Sequence, residues 1–358
     1  MSSTIDWSRV RRVLVVRLRS IGDTVLSTPC LIALKRFLPH AEVDILLEDW
    51  VAPLLDGFPD VDDVLTVSPS IGSRLALAQQ LRLRKYDVVF NLHGGTTATL
   101  LTFASGGRHR VGYKNYQYAF LHNNLIGPPS EYWGRSRIHS VEQQLAMLGS
   151  VGVPVDAGLQ TTLAVTDAST LSLESKVVEK FAGSGLARSF ALVHPAAAFA
   201  TKQWPVANFG ETIRFLKSKG IDSIAVASRN ERSILGDLQV AAGIPVRTFD
   251  NLTLPEITAL ASKADLFVGN DSGIAHIAAA VGTPCVVIFG SSNRDHWYPW
   301  TDAPSEIVYE EFACQPCPGH DCGAFGEPRC ILNVKPEKVF EAIGRVLKSS
   351  SVITPSEV

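Results

Sequence analysis

Short apolar runs alternate with amphipathic stretches along most of the chain. In the first third, four such runs predict buried strands, at residues 12–18, 43–47, 64–67 and 86–92. Residues 28–38 predict a helix that Thr28 caps and that has Pro29 at its first position, where a missing N–H is tolerated. The alternation restarts after residue 185 and predicts strands at 190–194, 223–227, 266–269 and 285–289, separated by helices near 207–219, 231–242, 255–263 and 274–282. Because strands separated by helices need crossover connections, we predict an α/β protein with parallel sheets.

The stretch 151–169 is rich in Gly, Pro, Thr and Asp and lacks strong periodicity, so it predicts a connection between two domains. A chain of 358 residues is long enough for two separate cores. We expect domains at 1–165 and 166–358, with the C-terminal helix on the second domain or packed back on the first. Ligands of such sheets bind at the carboxyl ends of the strands, which places the expected site in a cleft between the domains.

Composition and charge narrow the classes of function. The 33 Lys and Arg residues against 35 Asp and Glu give a formal charge of −2, which argues against a nucleic-acid binder. Residues 1–160 carry 16 basic and 14 acidic residues, a difference of +2 that reflects either chance or a surface facing an anionic acceptor or membrane. Arg17 and Arg19 interrupt the first apolar run, so it predicts neither a secretory signal nor a membrane span, and we expect a cytoplasmic protein.

The first chemical motif follows the first predicted strand and runs from Arg17 to Gly22-Asp23. A carboxylate at the carboxyl end of a strand, where a helix begins, can remove the proton from an attacking hydroxyl. The alternative is that Asp23 only caps the helix. The absence of Gly-x-Gly-x-x-Gly at this turn argues against a dinucleotide site.

The second motif, from Gly269 to His276, ends a strand in a polar turn that opens an Ala-rich helix. The amides around Gly273 and the hydroxyl of Ser272 fit a pyrophosphate. His276, about one turn into the helix, is either a ligand contact or a packing residue. Lys202 follows the strand predicted at 190–194 and either offsets the charge of a departing diphosphate or is a solvated loop residue.

Four cysteines cluster near the end of the second domain, at Cys314, Cys317, Cys322 and Cys330. Four thiolates can hold a structural zinc ion. Their irregular spacing also fits reduced thiols or a facultative disulfide in a surface loop.

Three motifs occur in a characteristic order: the turn that ends at Asp23, the segment from His194 to Lys202, and the turn at 270–276 before Gly-Thr-Pro. Together they resemble glycosyltransferase family 9, the ADP-heptose:lipopolysaccharide heptosyltransferases. The resemblance covers roughly residues 11–345. It implies a GT-B architecture of two Rossmann-like domains whose parallel sheets face each other across a cleft, with an inverting reaction that requires no metal or other cofactor. The acceptor is expected on the first domain and the nucleotide sugar on the second.

Several residues match the motifs of the family. Asp23 matches the catalytic base, and Lys202 matches the lysine near the donor diphosphate. The donor motif is matched by Asp271, Ser272, Gly273 and His276. Glu231 stands where many members have an acid for the nucleotide ribose, although Ala-Ser-Arg-Asn at 227–230 replaces the more usual Gly-Gly-Pro or Gly-Ala-Pro turn. The cysteine-rich loop also looks like one found in many members.

The resemblance implies that a heptose or related sugar moves from a nucleotide sugar, ADP-heptose in the family, to a lipid-linked core glycan. Such an acceptor lies at the inner face of the cytoplasmic membrane, so peripheral membrane contact is expected. Arg17, Arg19 and Arg82 are expected to meet its anionic groups, and solvated surface charge is the alternative. Other possibilities are transfer from a different nucleotide sugar, a GT-B sugar-nucleotide epimerase that needs no acceptor, and a non-catalytic sugar- or nucleotide-binding subunit.

Overall fold

The computed structural model describes residues 4–353 except 69, 182, 184 and 318, with no side chains given at 71 and 351–353. The chain divides into two compact units, Met1–Ala164 and Val165–Val358. This division falls inside the stretch at 151–169 that the sequence predicts as a connection. Among the described helices, none has the length and apolar content needed to cross a bilayer.

The first unit is an α/β sandwich. Its strands are β1 Arg12–Val16, β2 Glu42–Glu48, β3 Asp63–Val67, β4 Val88–Asn91, β5 His109–Tyr113 and β6 Asn124–Ile126. Its helices are α1 Ile21–Val25, α2 Thr28–Phe37, α3 Ile71–Arg84, α4 Thr96–Ala104, α5 Pro129–Trp133 and α6 Ser140–Gly149. The prediction for α2 needs a small correction, because Ser27 occupies the cap position and Thr28 is the first helical residue.

The second unit repeats the plan. Its strands are β7 Phe190–His194, β8 Asp222–Val226, β9 Arg247–Phe249, β10 Leu266–Asn270, β11 Cys285–Phe289 and β12 Ser305–Tyr309. Its helices are α7 Asp167–Lys180, α8 Val206–Ser218, α9 Ser233–Ala242, α10 Leu254–Ser262, α11 Gly273–Ala280, α12 Arg294–Trp297, α13 Arg329–Leu332 and α14 Pro336–Ile353. The C-terminal helix α14 packs against α8, β11 and β12 of this unit.

Both sheets have six parallel strands in the same topology. The order is β3-β2-β1-β4-β5-β6 in the first unit and β12-β11-β10-β7-β8-β9 in the second. The central strands are buried runs of aliphatic residues, as expected for strands covered by helices on both faces. In such sheets the strand order reverses between the first and fourth strands, and ligands bind at the carboxyl ends there. These switch points lie between β1 and β4 in the first unit and between β7 and β10 in the second.

Candidate active site

In the first unit, the switch point carries the predicted carboxylate. After β1 the chain turns into α1, whose third residue is Asp23. Pairing of Val16 with Asn91 places the end of β1 beside the end of β4. The Asp23 turn therefore lies at the edge where the fold concentrates ligand contacts.

Both oxygens of the Asp23 carboxylate have partners. Oδ2 accepts hydrogen bonds from the amide and the hydroxyl of Ser20, each at 3.2 Å, and completes a capping box. Oδ1 forms an ion pair with Arg17. The Asp23 side chain nevertheless remains 24% exposed. Asp23 thus caps the helix, and its carboxylate is also held in one orientation with a side open to a reactant.

Arg17 has a different environment from the one expected of an acceptor contact. It is only 8% exposed. Its guanidinium donates to the Leu92 carbonyl at 2.6 Å and to the Asp23 carbonyl at 3.3 Å, in addition to pairing with the Asp23 carboxylate. We therefore interpret Arg17 as a residue that positions Asp23.

The other two arginines expected at the acceptor lie apart from each other. Arg19 is exposed beside the Asp23 turn. Arg82 is exposed in the last turn of α3, which leads into the amino end of β4, so it lies at the opposite edge of the sheet from Asp23. Only Arg19 is therefore placed for contact with a substrate at Asp23.

The sequence analysis missed His93, which lies two positions after the end of β4. The ring is half-buried, and Asp23 and Glu48 lie close enough to affect its charge. Burial lowers the pKa of His93, and Arg17 and Arg19 lower it further, while the two carboxylates oppose the shift. This shift favours the neutral imidazole, which can both donate and accept hydrogen bonds. Its position after a central strand at a switch point was the signal that could have found it.

In the second unit, two of the predicted motifs meet at the other switch point. Asn270, at the end of β10, donates to the Pro195 carbonyl at 2.8 Å and accepts from the Trp204 amide at 3.0 Å. These bonds join the segment after β7 to the turn after β10. They are buried, so the two motifs form one structure.

This junction brings Lys202 and Asp271 together. The Lys202 ammonium lies 2.8 Å from Oδ2 of Asp271, which also accepts a hydrogen bond from Ser292. The Asp271 side chain is 6% exposed, whereas that of Lys202 is 22% exposed. The lysine, predicted to meet a diphosphate, is thus anchored by Asp271 and keeps an accessible side.

The turn that opens α11 has the features on which the prediction of an anion site rests. Gly273 is the first helical residue, and the cap residue Ser272 makes no side-chain capping bond. The first amides of a helix have no intrahelical partner and carry partial positive charge, which favours phosphate oxygens. The Ser272 hydroxyl instead bonds Nδ1 of His194 at 3.1 Å. His194 was not predicted as a site residue.

His194 contributes a buried, neutral imidazole to this site. Burial lowers the pKa of His194 to about 4, and the charge of Glu231 opposes this shift. Glu231 therefore lies near His194 and the turn that opens α11, and one of its oxygens accepts hydrogen bonds from the amide and the hydroxyl of Ser228. His276 is 5% exposed within α11, which favours the packing alternative over a direct ligand contact.

The four clustered cysteines line one small cavity of about 10 Å³ in the loop after β12. None of the four is joined in a disulfide bond, and no set of three or more His, Cys, Asp or Glu side chains in the described parts of the chain is arranged to hold a metal ion. Burial and the neighbouring sulfurs raise the pKa of Cys330. The loop is joined to the segment that follows β11, because the Cys317 amide donates to the Ser291 carbonyl at 3.1 Å.

Two Rossmann-like units, one with an oriented carboxylate and the other with a partly exposed lysine and an uncapped helix start, fit a GT-B glycosyltransferase. The model of glycosyltransferase family 9 (heptosyltransferase) matches residues 74–324, and the chain belongs to this family. It is 27% identical to lipopolysaccharide heptosyltransferase 3 of Escherichia coli, over 80% of this chain and 85% of the relative. It is 24% identical to lipopolysaccharide heptosyltransferase 2 of Escherichia coli strain K12, over 94% and 98%.

A solved structure shows the same fold over nearly the whole length. The structure of Escherichia coli ADP-heptose lipopolysaccharide heptosyltransferase II superposes with a TM-score of 0.78. The two chains are 22% identical, and the match covers 95% of this chain and 99% of the other.

Proposed function

We propose that this glycosyltransferase moves a heptose from ADP-heptose to a lipopolysaccharide-core glycan with inversion at the anomeric carbon. Family membership and the names of the relatives support the sugar and the acceptor class. The observation that carries the chemistry is the Asp23 carboxylate, which is held in one orientation and remains partly exposed.

The donor diphosphate is proposed to bind at the turn that opens α11. Its oxygens accept from the amides around Gly273 and from Ser272, and the Lys202 ammonium lies against the same charge. These groups stabilise the negative charge that grows on the leaving ADP, a kind of contribution that is worth about 3 kcal/mol for one donor. Glu231, near this turn, is proposed to bind the nucleotide ribose.

Asp23 is proposed as the general base of a single displacement. The acceptor hydroxyl oxygen attacks the anomeric carbon from the face opposite the diphosphate, the bond to the diphosphate oxygen breaks, and the proton passes to the Asp23 carboxylate. Arg17 keeps that carboxylate aligned, and His93 lies where a neutral imidazole can hydrogen-bond an acceptor sugar. No step requires a metal, so we expect turnover to survive exhaustive chelation.

Asp23→Asn tests the base against the capping alternative, because Asn keeps the size and the cap but cannot take a proton. We expect turnover with purified donor and acceptor to fall at least a hundredfold. Because Asn also removes the charge that pairs with the largely buried Arg17, the melting temperature should fall as well, and circular dichroism at the assay temperature checks that the variant is folded. Asp237→Asn, at an exposed position of α9, is the matched control and should retain full activity. A loss of less than about tenfold, equivalent to about 1.4 kcal/mol in the barrier, would show that Asp23 is only a cap.

The donor and the product are tested separately. A matching nucleotide sugar stabilises the folded protein by mass action, so thermal shifts with ADP-, UDP- and GDP-sugars should single out ADP-heptose. The anomeric configuration of the product, read by NMR, checks inversion. Consumption of donor without acceptor would instead indicate an epimerase.

We also propose that the acceptor is presented at the inner face of the cytoplasmic membrane, with the enzyme in peripheral contact.

For the cysteine loop, metal analysis of the purified protein distinguishes a bound structural zinc ion from four reduced thiols.

A further inference from the structure

One face of the first unit exposes large apolar side chains beside basic ones. We name it the apolar–basic face, and its residues are Leu83, Leu100, Phe103, Tyr118, Phe120, Arg82, Lys85, Arg108 and Arg110. Phe120 is 78% exposed, and Leu83 is 73% exposed. Soluble proteins seldom expose contiguous apolar patches without an interaction that covers them.

The apolar residues of α4 and of the turn that contacts it form the centre of this face. Leu100 and Phe103, three positions apart on α4, lie on the exposed side of that helix, and α4 contacts the short turn at 119–121. Within the segment that leads into this turn, the rings of Tyr118 and Phe120 pack edge to face at 6.3 Å. Aromatic and aliphatic side chains thus cover the outer surface of α4 and the adjoining turn.

Basic side chains border the apolar ones. The Arg110 guanidinium lies 5.5 Å from the centre of the Phe103 ring and donates to the Leu121 carbonyl at 3.0 Å. Arg82, at the end of α3, reaches the glycine that follows α4, since its Nη1 lies 3.4 Å from the Cβ position of Gly106. No ion pair involves Arg82 or Arg110 within the described residues.

The charge of this region is strongly one-sided. Residues 64–130 contain seven basic residues and a single acid, Asp87. The Asp87 carboxylate accepts hydrogen bonds from the backbone amides of Arg11 and Arg12 at 2.8 and 3.1 Å. Among the basic residues, Arg84 forms ion pairs with Asp44 and Asp63. The remaining cations are not balanced locally, so the face carries net positive charge.

We propose that the apolar–basic face docks the enzyme on an anionic lipid surface. Aromatic and aliphatic side chains insert at the headgroup boundary while Lys and Arg meet lipid phosphates, the combination that holds peripheral proteins on membranes. A second copy of the chain fits less well, because a two-fold contact would bring the same cations against one another. The face lies on the unit that carries Asp23, and docking would keep that unit near a lipid-linked acceptor.

Vesicle binding tests this surface without any turnover. The intact protein is mixed with vesicles of phosphatidylethanolamine and phosphatidylglycerol, or of phosphatidylcholine alone, and bound protein is measured by flotation. We expect binding to the phosphatidylglycerol vesicles only, weakened at high salt because screening reduces attraction to the phosphates. Failure of the wild-type protein to float with phosphatidylglycerol vesicles would overturn the proposal.

Two double variants separate the contributions. Leu100→Ser with Phe120→Ser removes exposed apolar area, and Arg82→Gln with Arg108→Gln removes two charges, each of which strengthens binding about fivefold near an anionic leaflet. We expect each pair to reduce vesicle binding at least tenfold with little change in melting temperature, because all four side chains are exposed.

Matched controls replace exposed residues of the second unit. Leu171→Ser with Val240→Ser matches the apolar pair, and Arg188→Gln with Lys335→Gln matches the charged pair. Equal losses in test and control pairs would contradict the proposal. So would a wild-type dimer that the Leu100 and Phe120 substitutions dissociate, since the face would then join two copies.

The outcome is independent of the proposed transfer reaction. Asp23→Asn should float like the wild type, so a failed catalytic prediction leaves vesicle binding intact. Conversely, an enzyme that turns over a soluble acceptor but ignores anionic vesicles refutes only the docking surface.

Discussion

His194 allows a quantitative prediction about pH and stability. Its imidazole is 7% exposed at the end of β7 and bonds the hydroxyl of Ser272. Burial lowers the pKa of His194 from 6.5 to about 4 in the folded protein. Between pH 6.5 and 4 the imidazole is protonated in the unfolded chain but neutral in the folded chain. The free energy of unfolding therefore falls as the pH falls from 6.5 towards 4. A difference of about 2.5 pKa units corresponds to about 3 kcal/mol.

The substitution His194→Gln should remove this dependence. Glutamine is neutral throughout the range and can still bond Ser272. We expect urea unfolding, followed by fluorescence between pH 7.5 and 4, to show a steeper fall for the wild type than for the variant, by about 3 kcal/mol. Hydrogen exchange of β7 identifies the transition of the second unit.

His40→Gln, at an exposed position, serves as the control and should keep the wild-type slope. NMR titration of the imidazole signals measures the pKa of His194 directly. Parallel pH dependence of the wild type and His194→Gln, or an imidazole that titrates near 6.5, would refute the reasoning.

Three further changes test the two ligand turns. Arg17→Lys keeps the charge but loses the planar guanidinium that orients the proposed base. In steady-state assays, kcat should therefore fall about ten- to hundredfold while both KM values change little. An unchanged kcat would show that Arg17 does not position Asp23. Lys202→Ala should weaken ADP binding in calorimetry and lower kcat by about two orders of magnitude, leaving the acceptor KM as it is. Gly290→Ala would place a Cβ too close to the Thr201 carbonyl oxygen. We therefore expect it to lower the free energy of unfolding by about 1–3 kcal/mol and to weaken ADP binding. Gly236→Ala, in open space on α9, is the control and should do neither.

Much of the fold could be predicted because the central strands are uninterrupted aliphatic runs. The runs at 190–194 and 285–289 coincide with β7 and β11, which are buried along their whole length. Four strands towards the edges of the sheets were missed. β6 and β9 have only three residues each, and β5 and β12 begin with polar residues that are not buried, so none of them offers a clear apolar run. The helix predicted from 231 begins at Ser233, because residues 229–231 form a separate turn closed by Glu231.

The site residues that could be predicted from the sequence are those in a short local motif directly after a predicted strand. Asp23 and the turn from Asp271 to Gly273 follow central strands, and their local order already indicates carboxylate and anion chemistry. The ion pair between Lys202 and Asp271 joins residues 69 positions apart, and nothing in either motif indicates that they meet. His93 and His194 each stand at the carboxyl end of a central strand, but the residue type alone does not separate a site histidine from a packing one, so their burial and partners had to come from the structure.

The amino-acid sequence by itself determined the two α/β units, their parallel sheets and the chemical types at the two turns, because periodicity and turn residues act over a few neighbouring positions. Only the tertiary structure decided that Arg17 positions Asp23, since its other partner, Leu92, is 75 positions away and directly follows β4, which pairs with β1. The structure also decided that Arg82 lies at the far edge of the sheet, because a crossover helix runs against its strands. The burial, the partners and the electrostatic surroundings of a side chain depend on strands that are distant in the sequence. They decide which role a residue of a given type has.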